Sequence, residues 1–310
     1  MPKIPKPPAL LPDSTIAIIS PASPADPQRV ARGFRELEQL GYRTSILTCE
    51  PRSYFAGTAE ERRQQLLDAL RREEFRAVIC TRGGYGSNYL LDGLDPCALH
   101  QPRILLGYSD ITTLQIFLWQ NLGWVTFYGP MVAAGFDAGA DKPSGYDLES
   151  LTLALIEARS GFTLDLRGET LKTGSADGVL VGGCMTLVEA TMGTPWELGI
   201  EGSILVLEDR EMKPYQVDRV LTHFRQAGKF KNVKGIILGE FPESGAPVAN
   251  GPTVRDVCHR VLGELDIPIV WGVPIGHTPR PMLTIPLGVP ARLLASGAGK
   301  LEILEPCVTL

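Results

Sequence analysis

Short apolar runs alternating with amphipathic stretches set the pattern of the first half of the chain. TIAIISPAS reads as a buried strand that ends in a loop of small residues, and an amphipathic segment from Pro27 to Leu40 leads to a second short strand, RTSILTC. The charged helical stretch TAEERRQQLLDALRREE precedes the strand FRAVICT and a glycine-rich turn, RGGYGSNYLL. RILLGYS then supplies a strand, DITTLQIFLWQNLG a helix, and WVTFYGP returns to extended chain. Strands alternating with helices of this length predict a mostly parallel sheet covered on both faces. Ligands of such sheets bind at the carboxyl ends of the strands, which is where RGGYG and GYSD both fall.

The pattern changes after the helix-like DLESLTLALIEAR, because SGFTLDLRGETLKTGSADGVLVGG is rich in Gly, Thr and Ser. This predicts a linker over 158–175, dividing an N-terminal domain over 1–157 from a C-terminal domain over 176–310. The second domain begins with GVLVGGCMTLVEATMG and the strand SILVLED. It continues with the helix KPYQVDRVLTHFRQAG, the strand VKGIILGEF and the helix TVRDVCHRVLGEL. Strands around PIVWGVPIG, MLTIPLG and ARLLAS give it a more antiparallel ending. No internal repeat or low-complexity tract is evident.

Composition narrows the partners. With 310 residues the chain can bury a sizeable core. Its net charge of −5 is spread without a block of like charges, which argues against nucleic-acid or membrane-surface binding and leaves small ligands. The six cysteines, Cys49, Cys80, Cys97, Cys184, Cys258 and Cys307, are scattered without a C-x-x-C pair, so reduced and mostly buried thiols in the cytoplasm are expected. The proline-punctuated N-terminus lacks the features of a secretory signal, and no apolar segment is long enough to span a bilayer.

Candidate chemistry collects at strand ends. Ser109, in LLGYSDITTL, is open to two readings: a cap that satisfies a first-turn N–H, or a nucleophile held out on a sharp strand-to-helix turn. A serine nucleophile needs a base, and the base needs a carboxylate to orient it. Of the four histidines, His223 and His259 fall in amphipathic helices and His100 in a loop, whereas His277 follows Gly276 at a strand end in VPIGHTPRPM. Glu208 and Asp209 end the apolar strand SILVLED, and strand alternation lets only one of them face a given cleft. Arg82, Arg210 and Arg280 flank these motifs and have the planar fork suited to a substrate carboxylate. The RGGYG turn offers amides to an oxyanion or a phosphate but matches neither common nucleotide-binding glycine motif. No metal-ligand spacing occurs.

These blocks, from IAIISPAS through RGGYGSNYLL, LLGYSDITTL, FYGPM, GGCMTLVEATMGTPWE and LVLEDREMKPYQVDRVLTHF to GVPIGHTPRPMLTIPLG, resemble the LD-carboxypeptidases. These serine peptidases include the muramoyl-tetrapeptide carboxypeptidases and the microcin C immunity peptidases. The resemblance implies an α/β protein with a flavodoxin-like, glutamine-amidotransferase-like parallel-sheet domain and a smaller β-rich α/β domain. It makes Ser109 the nucleophile, Glu208 the orienting acid and His277 the general base, with the backbone N–H groups of Asp110 and Gly84 as the oxyanion hole. It implies a cytoplasmic homodimer without cofactor or metal that releases a C-terminal D-amino acid, such as D-alanine, from a murein tetrapeptide. Two positions depart from the family pattern: Cys184, where Asn is more frequent, and Tyr128, where His is common. The alternatives are a microcin-type peptidase cleaving an aminoacyl-nucleotide amide, with Trp196, Tyr215 or Trp271 as a platform for the base, a non-catalytic peptide-binding module, and a nucleotide-binding oxidoreductase.

Overall fold

The computed structural model describes residues 4–47, 51–159, 161–245 and 251–310, so Cys49 lies outside the described residues. It divides into two compact units, one of Met1–Arg159, Arg280–Gly288 and Pro306–Leu310, the other of Ser160–Pro279 and Val289–Glu305.

The first unit carries β1 (Thr15–Ile19), α1 (Pro27–Gln39), β2 (Arg43–Leu47), α2 (Ala59–Arg71), β3 (Phe75–Cys80), α3 (Asn88–Leu91), β4 (Ile104–Gly107), α4 (Thr112–Leu122), β5 (Thr126–Tyr128) and α5 (Leu148–Leu155). The central strands β1, β3 and β4 are apolar runs whose residues are almost all buried, the signature of parallel strands covered on both faces. Strands β2, β1, β3, β4 and β5 lie side by side in that order, all parallel. The connections reverse direction between β1 and β3, so the loops after those strands diverge and leave a crevice at their carboxyl ends. Asp26 accepts from the Arg29 N–H at the start of α1, and Thr58 and Glu61 form a capping box at the start of α2.

The second unit carries β6 (Phe162–Asp165), β7 (Glu169–Lys172), β8 (Gly174–Cys184), α6 (Met185–Thr191), β9 (Ser203–Glu208), α7 (Pro214–Gln226), β10 (Gly235–Leu238), α8 (Val254–Leu262) and β11 (Ile269–Trp271). The strand β12 (Ile285–Leu287) follows in sequence, then β13 (Pro290–Ala295) and β14 (Lys300–Ile303). Its sheet runs β6-β14-β13-β8-β9-β10-β11-β7. The four strands β8 to β11 are parallel and the flanking pairs antiparallel.

Two expectations change. The stretch 158–175 is not an irregular linker: β6 and β7 lie within it and form the two edges of the second sheet, paired with β14 and β11. Nor is 176–310 one continuous domain, because Arg280–Gly288 and Pro306–Leu310 group with the first unit. There β12 adds to β5 as an antiparallel edge strand, Ile285 opposite Tyr128. Among the described residues, Cys80, Cys184, Cys258 and Cys307 are buried free thiols and Cys97 is an exposed one. No described helix is long and apolar enough to cross a membrane.

Thr58→Ala should remove one half of the capping box, in which Thr58 Oγ1 accepts from the Glu61 N–H at 3.2 Å, and leave the other, in which the Glu61 carboxylate accepts from the backbone N–H of residue 58 at 2.7 Å. The expected loss is about 1 kcal/mol of unfolding free energy, read as a lower urea midpoint with an unchanged slope.

Candidate active site

In the first unit, the buried β4 ends at Gly107, Tyr108 stays extended, and Ser109 turns the chain at φ +63° into a single 3-10 turn that leads into α4. A non-glycine residue held in the left-handed region costs of the order of 1–3 kcal/mol. The sharp turn is the geometry that presents a serine hydroxyl at the top of an α/β sheet. The N-cap positions of the 3-10 turn and of α4 fall to Tyr108 and Ile111, so the capping reading of Ser109 does not describe its place. Tyr128, wholly buried and paired with Gly107 across β4 and β5, accepts the Ser109 N–H on its hydroxyl at 3.2 Å.

The glycine-rich turn after β3 lies against this elbow. A Cβ on Gly83 would stand 2.9 Å from Ser109 Cβ, 3.0 Å from Ser109 Oγ and 3.2 Å from the Asp110 nitrogen, so only glycine allows the approach. Ser23, in the loop after β1, fixes the turn by accepting from the Tyr85 N–H at 3.1 Å and donating its own N–H to the Gly83 carbonyl. The amides of Asp110 and Gly84 donate to no protein acceptor among the described residues. Gly83 and Tyr128 are the contributors to the elbow that sequence reasoning did not single out for this purpose. The run of two glycines at 83 and 84 was the available signal for the first.

In the second unit, Glu208 closes β9 with no solvent exposure. Its Oε2 accepts both the backbone N–H of His277 at 2.8 Å and the His277 Nδ1–H at 2.9 Å. Because a carboxylate only accepts, the bond fixes the tautomer: Nδ1 carries the proton and Nε2 is the unprotonated, basic nitrogen of the neutral ring. Gly276, at φ +57°, makes this possible, since a Cβ there would fall 2.3 Å from the Glu208 carboxyl carbon. Burial drives the His277 pKa down, but the charge and hydrogen bond of Glu208, with Asp209 adding to them and Arg210 opposing, leave it raised. Asp209 takes a separate task, accepting the N–H groups of Thr186 and Arg210 at 2.9 Å each. Burial and the Glu208 charge push its pKa up. Cys184 is level with Glu208 in the neighbouring strand, and burial holds its thiol well above the ordinary range.

The remaining predicted residues are more dispersed. Arg210 is engaged by Glu211 and Glu243, each at 2.7 Å, and Arg82 is exposed beside the glycine turn. Arg280 groups with the first unit. Trp271 stacks on Phe241 with ring planes 2° apart, Trp196 is half-buried, and Tyr215 is exposed with Arg219 over its ring. His100, His223 and His259 are exposed. The described residues contain no cluster of three or more His, Cys, Asp or Glu side chains placed to hold a metal.

A hydroxyl on a strained strand-to-helix turn beside two unengaged amides, and an imidazole oriented by a buried carboxylate, are the components of serine-type hydrolysis. Comparison with known proteins gives the same class. Residues 16–129 match the model of the LD-carboxypeptidase N-terminal domain and residues 177–293 that of the LD-carboxypeptidase C-terminal domain. A probable murein peptide carboxypeptidase of Bacillus subtilis (strain 168) is 33% identical, the alignment covering 98% of this chain and 95% of the relative. The microcin C7 self-immunity protein MccF of Escherichia coli is 29% identical over 89% of each chain. Among solved structures, the muramoyltetrapeptide carboxypeptidase from Oxalobacter formigenes superposes with a TM-score of 0.83 at 29% identity, covering 95% of this chain and all of that one. MccF in complex with glutamyl sulfamoyl guanosine superposes at 0.88 and 25% identity, with coverage of 98% and 99%. The chain belongs to the LD-carboxypeptidase family. It is a serine peptidase of that kind.

The His277 imidazole should titrate above the ordinary value of about 6.5, and Glu208→Gln should move its midpoint down by removing the charge that raises it. Nitrogen-detected NMR of the ring reads both, and an unchanged midpoint in the variant would show that Glu208 does not set it.

Proposed function

We propose that the protein hydrolyses the amide between an L-configured centre and a C-terminal D-amino acid, releasing D-alanine from murein tetrapeptide. The observation that carries this reading is the buried Glu208 carboxylate with His277 bound to it by both backbone and ring. In this mechanism Ser109 Oγ attacks the scissile carbonyl while His277 Nε2 accepts its proton, and Glu208 stabilises the imidazolium. The Asp110 and Gly84 amides donate to the developing oxyanion. The tetrahedral intermediate then collapses: the amide C–N bond breaks, His277 returns the proton to the departing amine, and the acyl group remains on Ser109. Water, activated by His277, releases the acyl group by the same route and restores the hydroxyl. Arg82, Arg210 and Arg280 are the candidates for binding the free carboxylate of the substrate; the exposed Arg82 is best placed, because Arg210 is already held by two carboxylates. Under the same reading the enzyme works in the cytoplasm as a homodimer. The names of the murein peptide and muramoyltetrapeptide carboxypeptidases among its relatives support the substrate.

The test offers purified protein a murein tetrapeptide, its L-alanine-terminated isomer and an aminoacyl-nucleotide amide, beside Ser109→Ala, and identifies products by mass spectrometry. Release of D-alanine from the first alone, lost in the variant, is expected. Cleavage of the nucleotide conjugate alone would replace this substrate with that of the immunity peptidases.

Neutral His277 is the reactive form, so kcat/KM should rise with pH as the ring loses its proton. The raised pKa places the midpoint of that acid limb above the ordinary imidazole value of about 6.5. A limb centred below that value would contradict His277 as the base.

A further inference from the structure

The glycine turn and the serine elbow are tied together through the Gly86–Ser87 peptide group. Ser87 donates its backbone N–H to Asp110 Oδ2 at 2.8 Å, and the carbonyl at the other side of that peptide, belonging to Gly86, accepts from Arg62 Nη1 at 2.8 Å. A peptide held at its N–H by a carboxylate and at its C=O by a guanidinium cannot rotate without losing two charge-assisted hydrogen bonds. Both side chains are only 1% exposed, so water cannot easily replace either partner.

Arg62 is itself fixed in place. Its Nε donates to the Gly57 carbonyl, its Nη1 also donates to the Pro21 carbonyl, and the guanidinium lies 4.8 Å from the centre of the Phe55 ring. Pro21 begins the loop whose Ser23 grips the glycine turn from its other side. Burial raises the Asp110 pKa, and the Ser87 and Gly86 hydrogen bonds and the Arg62 charge oppose that rise. A buried charge pair of this kind adds little net stability compared with apolar side chains of the same size. Its directed bonds do set a geometry.

That geometry bears on the reacting atoms. Asp110 follows Ser109 directly, its amide is one of the two oxyanion donors in the mechanism above, and its carboxylate holds the turn that carries the other. We propose that Asp110 and Arg62 are positioning residues that clamp the Gly86–Ser87 peptide and so hold the Gly84 amide at its working distance from the Asp110 amide. This rests on the reading of Ser109 as the nucleophile.

The test uses the full chain as Asp110→Ala, Arg62→Met and the double variant, with thermal midpoints recorded for each. Two rates are measured: release of D-alanine from murein tetrapeptide, and phosphonylation of Ser109 by a fluorophosphonate, followed by intact mass. Each single variant should lose about 10- to 100-fold in kcat and in phosphonylation rate, with KM within about two-fold of wild type. The double variant should fall no further than the worse single one, because both side chains act on one peptide. The acid limb set by His277 should stay in place. Should Arg62→Met fail to fold, Asp110→Ala decides alone. Unchanged rates in Asp110→Ala, a rise in KM alone, or losses that multiply in the double variant would overturn the clamp. If wild type is phosphonylated at Ser109 yet releases no D-alanine, the substrate reading fails and the phosphonylation rates still judge the clamp. If Ser109 is not phosphonylated at all, both fall.

Discussion

A carboxylate removed from water costs several kcal/mol unless donors replace its hydration, and Glu208 meets that condition with no solvent exposure. Much of the local architecture of the second unit follows from this requirement. Two of its donors come from one residue, His277, whose backbone and ring converge on the same oxygen. The loop that brings them must approach the carboxyl group more closely than any side chain would permit, hence Gly276. Asp209, one position further on and also buried, is satisfied by different amides, so it does not compete for the imidazole. The result is a histidine whose tautomer and ring orientation are set before any substrate arrives.

The first unit solves a related problem with the backbone. Ser109 is held in a conformation that an L-residue seldom adopts, and its cost is offset by burial of the flanking β4 and α4 and by the Tyr128 hydroxyl on its amide. The buried Tyr128 hydroxyl supplies the acceptor that the elbow needs. Charge is used here to fix peptide groups: the Asp110 carboxylate and the Arg62 guanidinium each end on backbone atoms of the glycine turn. In both units, the polar groups nearest the proposed chemistry are rigid because their alternatives are unsatisfied and buried.

Legibility in the sequence followed the range of the interactions involved. The parallel core was readable because β1, β3 and β4 are mainly apolar runs between amphipathic helices. Glu208 and His277 stood out as acid and base types at strand ends, but which of the adjacent Glu208 and Asp209 would meet the histidine depended on the register and neighbours of β9. Strands β6 and β7 read as linker because they are four-residue edges rich in threonine and charge, and their partners lie far away in sequence. The pairing of Ile285–Leu287 with β5 was hidden for the same reason, since an apolar triplet says nothing of which sheet it joins. Arg62 was invisible in a different sense: within AEERRQQ an arginine reads as surface, and only the packed loops around it provide the carbonyls that let it be buried.

The return of Arg280–Gly288 and Pro306–Leu310 to the first unit has a consequence for biosynthesis. As the chain leaves the ribosome, β1 to β5 can assemble early, but the outer edge of β5 must wait for Ile285–Leu287, and the amide of Ala9 for the carbonyl of Thr309. During that interval the nascent protein displays an unpaired strand edge, the kind of surface on which chains associate wrongly. Synthesis of these two returning segments is therefore also the step that closes the first unit.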